Sequence, residues 1–322
     1  MSIYVTGVGV ALPGADSAAG LAAAVRPVGS VDPAAVLGKK GLRYKDRATQ
    51  LGLVAAQRVL TDAGLLDDGT LTADGTRVAV LVSSNLGNVD TACRVARTIA
   101  DEGTRGLSPM DTPNASSNII ASEIAIRFGL HGPNLMVCNG PGSGIDAMRW
   151  GTALLRSGRA DQAVVVGVEP DNVIVRELVG GPVADGGAAL VLERAEAAEA
   201  RGATVHAVIG GHTRGADVAA GFRELAAGEP TGLTGWFASG AAAKALPSEL
   251  PGHDLATIWG ELSGALGVVQ AAAAIGGFGA GTDGAVCLVA GSDEDDGSAA
   301  LVLRPPSPSA PSAASAPGPG AV

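Results

Sequence analysis

The sequence predicts an α/β protein whose second half repeats the first in shortened form. Short runs rich in Val, Ile and Ala alternate with longer runs in which apolar residues recur at helical spacing, and this alternation is typical of an α/β fold with a buried sheet. The 48 glycines and only 3% aromatic residues indicate a core closed by small side chains. Hydrophobic residues make up 47% of the 322 residues and charged residues 17%, which excludes a disordered chain.

The elements of the first half follow from hydrophobic periodicity. Strands are predicted at 3–10, 77–83, 134–138, 162–168 and 187–193. Helices are predicted at 45–64, 117–128 and 144–157. After a helix at 194–201 the pattern starts again, with strands at 204–210, 285–290 and 299–303 and a helix at 263–275.

This repetition predicts two domains. They are an N-terminal half at 1–202 and a shortened C-terminal half at 203–304. The stretch 305–322 contains mainly Pro, Ala and Ser and is predicted to be a disordered tail, because it has too little apolar surface to offset the entropy of ordering.

Composition also limits the partners and the compartment. A net charge of −10 argues against nucleic-acid binding, because neutralising phosphates needs clustered Lys and Arg. The N-terminal run lacks a basic leader, and no apolar run reaches the roughly 20 residues that span a bilayer, so neither a signal peptide nor a membrane span is expected. The scattered Cys93, Cys138 and Cys287 form no disulfide framework, which favours the cytoplasm.

The most informative stretch is GLHGPNLMVCNGPGSGIDAMRWG at 129–151, where a strand enters a Gly-rich turn and a helix begins near Ser143. Enzymes use such a helix start to activate a nucleophile or to hold an oxyanion, although a tight turn without chemistry is equally compatible with the pattern. The G-x-S-x-G motif of hydrolases is not present, because Pro141 and Ile145 occupy its glycine positions. A phosphate-binding Gly-Lys-Ser/Thr is also missing.

This stretch resembles the nucleophile region of β-ketoacyl synthases, which have the thiolase fold. The closest resemblance is in the run GPGSGIDA, which begins at Gly140. Further segments resemble the family: IYVTGVGVALPG, GLRYKDRATQLGLVAAQRVL, GRADQAVVVGVEP and GGAALVLERAEAAEARGA. The resemblance covers residues 1–304 and implies duplicated βαβαβ halves in a layered α-β-α-β-α architecture, with the second half shortened.

At each catalytic position of the family, the resemblance places a different residue type in this chain. The family's cysteine falls on Pro141, its two histidines fall on Ser239 and Glu261, and its lysine falls on Ala256. Proline has no nucleophilic atom, and a glutamate puts negative charge where an enolate oxygen develops. We therefore expect no catalytic residue and no condensation by this chain alone. Cys138 is expected to be a buried structural thiol in the strand.

A ketosynthase-like chain without its triad resembles the chain-length factor of bacterial type II polyketide synthases, the inactive β subunit of a heterodimer with an active ketosynthase. Typical members have glutamine at the position of Pro141, so a divergent subgroup that builds reduced or polyene chains is favoured. The resemblance implies that the chain shapes the acyl tunnel during decarboxylative Claisen condensation. Acyl carrier protein is expected to dock mainly on the partner, because it is usually acidic like this chain.

The resemblance also implies a chain-length gate and a dimer interface. The helix before the nucleophile strand, at 111–120, is expected to reach the partner's tunnel, and four of its residues lie nearest the gate positions: Pro113, Ser116, Ser117 and Ile120. The small side chains of this segment predict a deep tunnel with a polar lining, the alternative being an ordinary interface helix. The nucleophile strand is expected to pair across a two-fold axis through Asn134, Leu135, Met136, Val137 and Cys138.

Two other functions remain open: a homodimeric thioester-binding or hydrolysing enzyme that has repurposed Ser143, Ser239 or Glu261, and a carrier-protein-binding scaffold without a tunnel. No cofactor or metal is predicted, because the four histidines lack a ligand at i+4 and the acidic run 293–296 lacks calcium-loop spacing. Three aromatic rings near the substituted positions are expected to fill the space that substrate and histidines would occupy: Trp236, Phe237 and Trp259.

Overall fold

A computed structural model describes residues 1–21, 29–109, 111–291 and 297–306. The acidic run at 293–296, and all but the first two residues of the predicted tail at 305–322, lie outside the described residues. The elements of the first half are β1 (Ile3–Ala11), α1 (Pro33–Leu37), α2 (Arg47–Asp62), β2 (Leu66–Asp67), β3 (Thr70–Leu71), β4 (Val78–Ser83), α3 (Val89–Glu102), α4 (Asp111–Asn114), α5 (Ile119–Phe128), β5 (Asn134–Val137), α6 (Ser143–Arg156), β6 (Gln162–Glu169), α7 (Val173–Val179) and β7 (Gly186–Arg194).

The second half begins after a short connecting helix, α8 (Ala195–Ala200). Its elements are β8 (Ala207–Gly215), α9 (Val218–Gly228), β9 (Leu233–Ala238), α10 (Gly240–Lys244), β10 (Gly252–Asp254), α11 (Ala256–Trp259), α12 (Leu266–Gly279), β11 (Ala285–Ala290) and β12 (Ser298–Arg304). None of the helices in the described part of the chain combines the length and the apolarity that a membrane span requires.

The main sheet repeats one strand order in both halves. Its ten strands run β10-β9-β11-β12-β8-β1-β7-β6-β4-β5, and the halves meet where β1 pairs antiparallel with β8. From this junction outward, each half uses its strands in the order first, fifth, fourth, second and third. The predicted α/β class with a duplicated, shortened second half is therefore confirmed. The boundary after residue 202 stays a prediction.

Helices cover both faces of the sheet and make the layered architecture. On the outer face, α2 and α5 pack on the first half and α9 packs on the second. The helices α6 and α12 lie between the two half-sheets: α6 contacts β4, β6 and β12, and α12 contacts β6, β7 and β11. One apolar core surrounds these two central helices, and separate cores lie under α2 and under α9.

The two central helices, α6 and α12, cross at their N-terminal ends, and each has a glycine at the contact. A Cβ on Gly144 of α6 would lie 2.9 Å from the amide nitrogen of Gly267 in α12, and a Cβ on Gly267 would lie 2.6 Å from the amide nitrogen of Ile145. Only glycine permits this approach of two backbones. The crossing brings the starts of both helices, and the turns that precede them, into one region of the molecule.

Three predicted elements are wrong in their bounds. The strand predicted at 204–210 is β8, which begins three residues later and continues through polar residues to Gly215, because β12 pairs with it there. The helix predicted at 263–275 starts as a 3-10 turn and becomes α12 at Leu266. The gate helix predicted at 111–120 is interrupted between α4 and α5, where Asn118 precedes the new helix.

Candidate functional site

The turn between β5 and α6 contains no nucleophile at the predicted position. Pro141 stands in this turn, one residue after Gly140, whose φ of +68° is a conformation that favours glycine. Proline provides neither a nucleophilic side-chain atom nor a backbone N–H for an oxyanion. Position 141 therefore supplies neither a nucleophile nor a backbone donor to this turn.

Ser143, the nearest hydroxyl, is used to hold the turn. It is fully buried, and its Oγ accepts a hydrogen bond from the Asn139 amide at 2.7 Å. Its single proton can be donated to the Gly140 carbonyl at 2.7 Å or to Oδ1 of Asn85 at 3.1 Å. A buried hydroxyl with these contacts is a structural group and cannot reach a substrate.

Asn85, which follows β4, connects this turn to the second half of the chain. Its Nδ2 donates to the Gly140 carbonyl and to Oγ of Ser263, both at 2.9 Å. Ser263 has φ of +40°, which is unusual for a residue with a side chain, and it begins the 3-10 turn that leads into α12. The loop after β4, the turn before α6 and the segment before α12 therefore form one polar network.

Glu169, at the end of β6, accepts hydrogen bonds from residues of the same network. Its fully buried carboxylate accepts hydrogen bonds from the Ser84 hydroxyl at 2.9 Å and from the amides of Asn85 at 2.6 Å, Leu86 at 3.1 Å and Gly264 at 2.9 Å. Burial raises the pKa of Glu169 to about 7, although all four donors favour the ionised form.

Arg214, on β8, fills the space in front of the turn. Its guanidinium pairs with the buried Asp146, which also accepts a hydrogen bond from Nδ2 of Asn139 at 2.7 Å. A Cβ on Gly142 would lie 3.1 Å from the guanidinium nitrogen. An arginine side chain and its ion-pair partner thus occupy the N-terminal end of α6, beside Pro141.

The second-half positions have different surroundings. Glu261 lies beside the network: its backbone exchanges hydrogen bonds with Pro182 and Ala184, both at 2.9 Å, and its Oε1 accepts from the Ser263 amide at 2.7 Å. Ser239 is half-buried at the start of α10, and no hydrogen bond between described residues joins it to Glu261 or to the turn.

Ala256, at the lysine position, begins α11. The histidines take no part in the site: within the described ranges, no hydrogen bond or ion pair joins a histidine side chain to Ser143, Ser239 or Glu261. Those ranges also hold no group of three or more His, Cys, Asp or Glu arranged to bind a metal ion.

The prediction of a buried Cys138 in the strand is wrong. The strand ends at Val137, and Cys138 is exposed, because β5 is the outermost strand of the sheet. Partial burial and the nearby carboxylate of Glu169 raise the pKa of the Cys138 thiol, which lowers its thiolate fraction.

The strand β5 presents an unpaired edge with apolar surroundings. It pairs parallel with β4 on one side, and no described strand pairs with its other side. Leu135 on the strand is 36% exposed, Ile126 on α5 is 76% exposed, and Trp150 on α6 is 51% exposed. Both helices pack against β5, so these apolar side chains accompany the open edge.

The predicted gate residues divide into two groups. Pro113 in α4 and Ser116 and Ser117 in the segment that joins α4 to α5 are exposed. Ile120 is 1% exposed and packs in the chain's own core under α2, so it does not share their surface. Nδ2 of Asn88 holds the segment by donating to the Ser116 carbonyl at 2.9 Å.

All three aromatic rings are buried. Trp259 donates from Nε1 to the Leu21 carbonyl at 3.1 Å, as expected of a residue that fills the core. Trp236 and Phe237 also lie in apolar cores, and both line a cavity of about 500 Å³. That the rings occupy the space of substrate and histidines stays a prediction.

Sequence reasoning missed Asn85, Glu169 and Arg214. Glu169 carried a signal, because an acidic residue at the end of an entirely apolar strand must find buried donors. Asn85 and Arg214 gave none, since their partners are distant in the sequence.

Comparison with known proteins relates this arrangement to one family. Residues 28–175 match the N-terminal domain of β-ketoacyl synthases. A putative β-ketoacyl synthase 1 of granaticin polyketide synthesis from Streptomyces violaceoruber is 29% identical over 266 residues, which are 65% of this chain and 62% of that protein. The 3-oxoacyl-[acyl-carrier-protein] synthase 2 of Staphylococcus aureus is 27% identical over 201 residues, 54% of this chain and 49% of that protein. The matches thus span about half to three fifths of these relatives.

Solved structures of the thiolase-like ketosynthase fold match nearly the whole chain. The ishigamide ketosynthase/chain length factor has a TM-score of 0.78 at 20% identity, covering 95% of this chain and 99% of that one. A type II polyketide synthase acyl-carrier protein in complex with its ketosynthase has a TM-score of 0.77 at 16% identity, covering 94% and 99%. A β-ketoacyl synthase from Burkholderia phymatum has a TM-score of 0.74 at 17% identity, covering 95% and 100%.

Proposed function

Because the chain carries the N-terminal domain of the β-ketoacyl synthase family within a ketosynthase-like fold, we propose that it is the non-catalytic chain-length-factor subunit of a type II polyketide synthase. In this role it pairs with an active ketosynthase. It shapes the tunnel that holds the growing acyl chain while the partner carries out decarboxylative Claisen condensation, for a reduced or polyene product.

The observation that carries the proposal is the state of the turn before α6. On the family resemblance the cysteine position falls on Pro141, and the hydroxyl of Ser143 in the same turn is buried and hydrogen-bonded within it. The Arg214–Asp146 pair occupies the space in front of the turn. A fold that keeps the family's architecture but fills its reactive centre is suited to a structural partner, and a hydrolase built on Ser143 has no support.

The open edge of β5 supports pairing with a second chain. An edge strand presents unpaired backbone N–H and C=O groups, and native proteins either protect such an edge or use it for association. Leu135, Ile126 and Trp150 surround this edge with exposed apolar surface, which a partner would bury. We propose that Asn134–Val137 and Cys138 pair antiparallel with the matching strand of the ketosynthase.

The gate segment supports a role in chain length. Pro113, Ser116 and Ser117 are small and exposed, and no bulky ring stands among them. The cavity of about 420 Å³ beside α4 is a separate feature: charged side chains such as Arg43, Arg94 and Asp111 line it, and the gate residues do not. We propose that the partner's acyl tunnel continues to the surface of the gate segment, where small side chains leave room for the distal end of a long product.

Carrier protein is proposed to dock mainly on the ketosynthase. The net charge of −10 opposes association with an acidic partner protein. In a structural neighbour at 16% identity, a type II polyketide synthase acyl-carrier protein is in complex with its ketosynthase, which motivates this part of the proposal.

Co-expression with a ketosynthase that carries the cysteine and both histidines tests the proposal. Native mass measurement of the purified material is expected to give a complex with one copy of each chain. Free monomers only, or a homodimer of this chain beside free ketosynthase, would contradict it.

A further inference from the structure

A second cavity lies away from the substituted catalytic positions. It has a volume of about 500 Å³ and is enclosed by β9, β10 and the C-terminal half of α12. Its α12 wall includes Ala273 and Ala274, with Ala280 directly after the helix, whereas the polar network lies at the other end, near Gly264 and Leu266. At a rise of about 1.5 Å per residue, the two regions are roughly 10–20 Å apart along the helix.

The cavity is held open by its own walls. Trp236 is fixed by a hydrogen bond from Nε1 to the Pro247 carbonyl at 3.0 Å, and its ring packs so closely on Gly252 that a Cβ there would lie 2.1 Å from it. Phe237 stacks on His253 with ring centroids 4.7 Å apart. The wall opposite Phe237 is α12. Most residues of this helix are buried among other elements, so close packing keeps it from moving into the cavity.

The lining defines the chemistry of an occupant. Aromatic rings and small aliphatic side chains form most of the surface, and none of the described lining residues is Asp, Glu, Lys or Arg. The polar groups that line it are the hydroxyls of Thr234 and Thr282 and the imidazole of His253. A volume of this size, with apolar walls and a few hydrogen-bonding groups, is characteristic of small-molecule sites.

We infer that this cavity binds an uncharged, largely apolar aromatic or conjugated small molecule, which lies between Phe237 and α12. The ring of Phe237, on the face of β9 that packs toward α12, supplies stacking surface, and the small residues of α12 leave room for a flat ligand. A carboxylate ligand is disfavoured, because the described lining offers no lysine or arginine to pair with it.

Nile red, an uncharged aromatic dye, is the probe. It is titrated into the full chain in complex with its ketosynthase, or alone, at pH 8. Saturable binding at one site is expected. Ala280→Phe and Thr282→Phe each place a ring in the cavity from an exposed position, and each should weaken binding at least about tenfold. Ala220→Phe, an exposed alanine of α9 outside the cavity, should leave binding unchanged.

Three outcomes would overturn the inference. The first is that the unmodified chain shows no saturable binding of the dye. The second is that both cavity variants, with unaltered circular dichroism, bind the dye as tightly as the unmodified chain does. The third is that dodecanoate, a carboxylate, binds as tightly as the uncharged dye. The readout does not involve polyketide synthesis, so failure here is distinguishable from failure of the proposed chain-length role.

Discussion

Replacing Glu169 by glutamine tests the buried support of the candidate site. Its two carboxylate oxygens accept from Ser84 and from three backbone amides, those of Asn85, Leu86 and Gly264. In Glu169→Gln one oxygen becomes an NH₂ group, which must face at least one of these N–H donors. A buried donor without an acceptor costs about 1–3 kcal/mol, so the free energy of unfolding should fall by that amount at pH 5.5.

This penalty should shrink as the pH rises. Burial raises the pKa of Glu169 from 4.5 to about 7. A carboxyl group with a raised pKa in the folded state stabilises the fold fully below pH 4.5, and this contribution is lost as the pH rises through 7. From this pKa shift, the free energy of unfolding of the unmodified chain should fall by about 2 kcal/mol between pH 5.5 and 8.5. Glutamine does not titrate, so the two proteins should be nearly equal in stability at pH 8.5.

Urea unfolding followed by far-UV circular dichroism at both pH values measures the difference. Glu249→Gln, at an exposed glutamate, is the matched control and should change stability little at either pH. A Glu169→Gln penalty that stays constant or grows with pH would refute the reasoning, because it would mean that the four donors hold the carboxylate ionised throughout.

Three other variants test the packing, the interface and the gate. Gly144→Val should abolish soluble folded protein, because its Cβ would lie 2.9 Å from two backbone nitrogens of α12, whereas Gly215→Val, with no atom within 4 Å, should express normally. Leu135→Lys should weaken association with the ketosynthase at least about tenfold in a native mass titration, without altering circular dichroism; an unchanged complex would place the interface elsewhere. Ser116→Phe and Ser117→Phe should shorten the product, measured by mass spectrometry, and intact complexes of both with products of unchanged length would exclude the gate.

The fold was predictable where each element carries its own signal. The apolar run of β11 and the glycine-bounded run of β5 are found within a residue of their predicted ends. The strand β8 was misplaced, because its polar end at Gly215 is fixed by pairing with β12, and pairing is not visible in local periodicity. The interruption after α4 had local signals: Pro113 fits only the first turn of a helix, and Asn118 is a helix-start residue.

For the candidate site, the sequence predicted only that the family's catalytic residue types are absent. Pro141 is visible in the sequence as a missing nucleophile, but what fills the surrounding space depends on contacts between residues far apart. Arg214 reaches Asp146 across 68 positions, and Asn85 reaches Ser263 across 178. The cavity beside Trp236 was missed for the same reason, since residue volumes alone do not reveal whether neighbouring elements close around a ring.

Decarboxylation of malonyl-carrier protein tests the central claim most directly. Carbon dioxide release is measured for this chain alone, for its complex with the ketosynthase, and for a complex in which the partner's catalytic cysteine is replaced by alanine. The account predicts no turnover by the chain alone, extended product from the intact complex and none from the cysteine variant. Turnover by the isolated chain above the rate without protein, with Pro141 and the buried Ser143 unchanged, would contradict it.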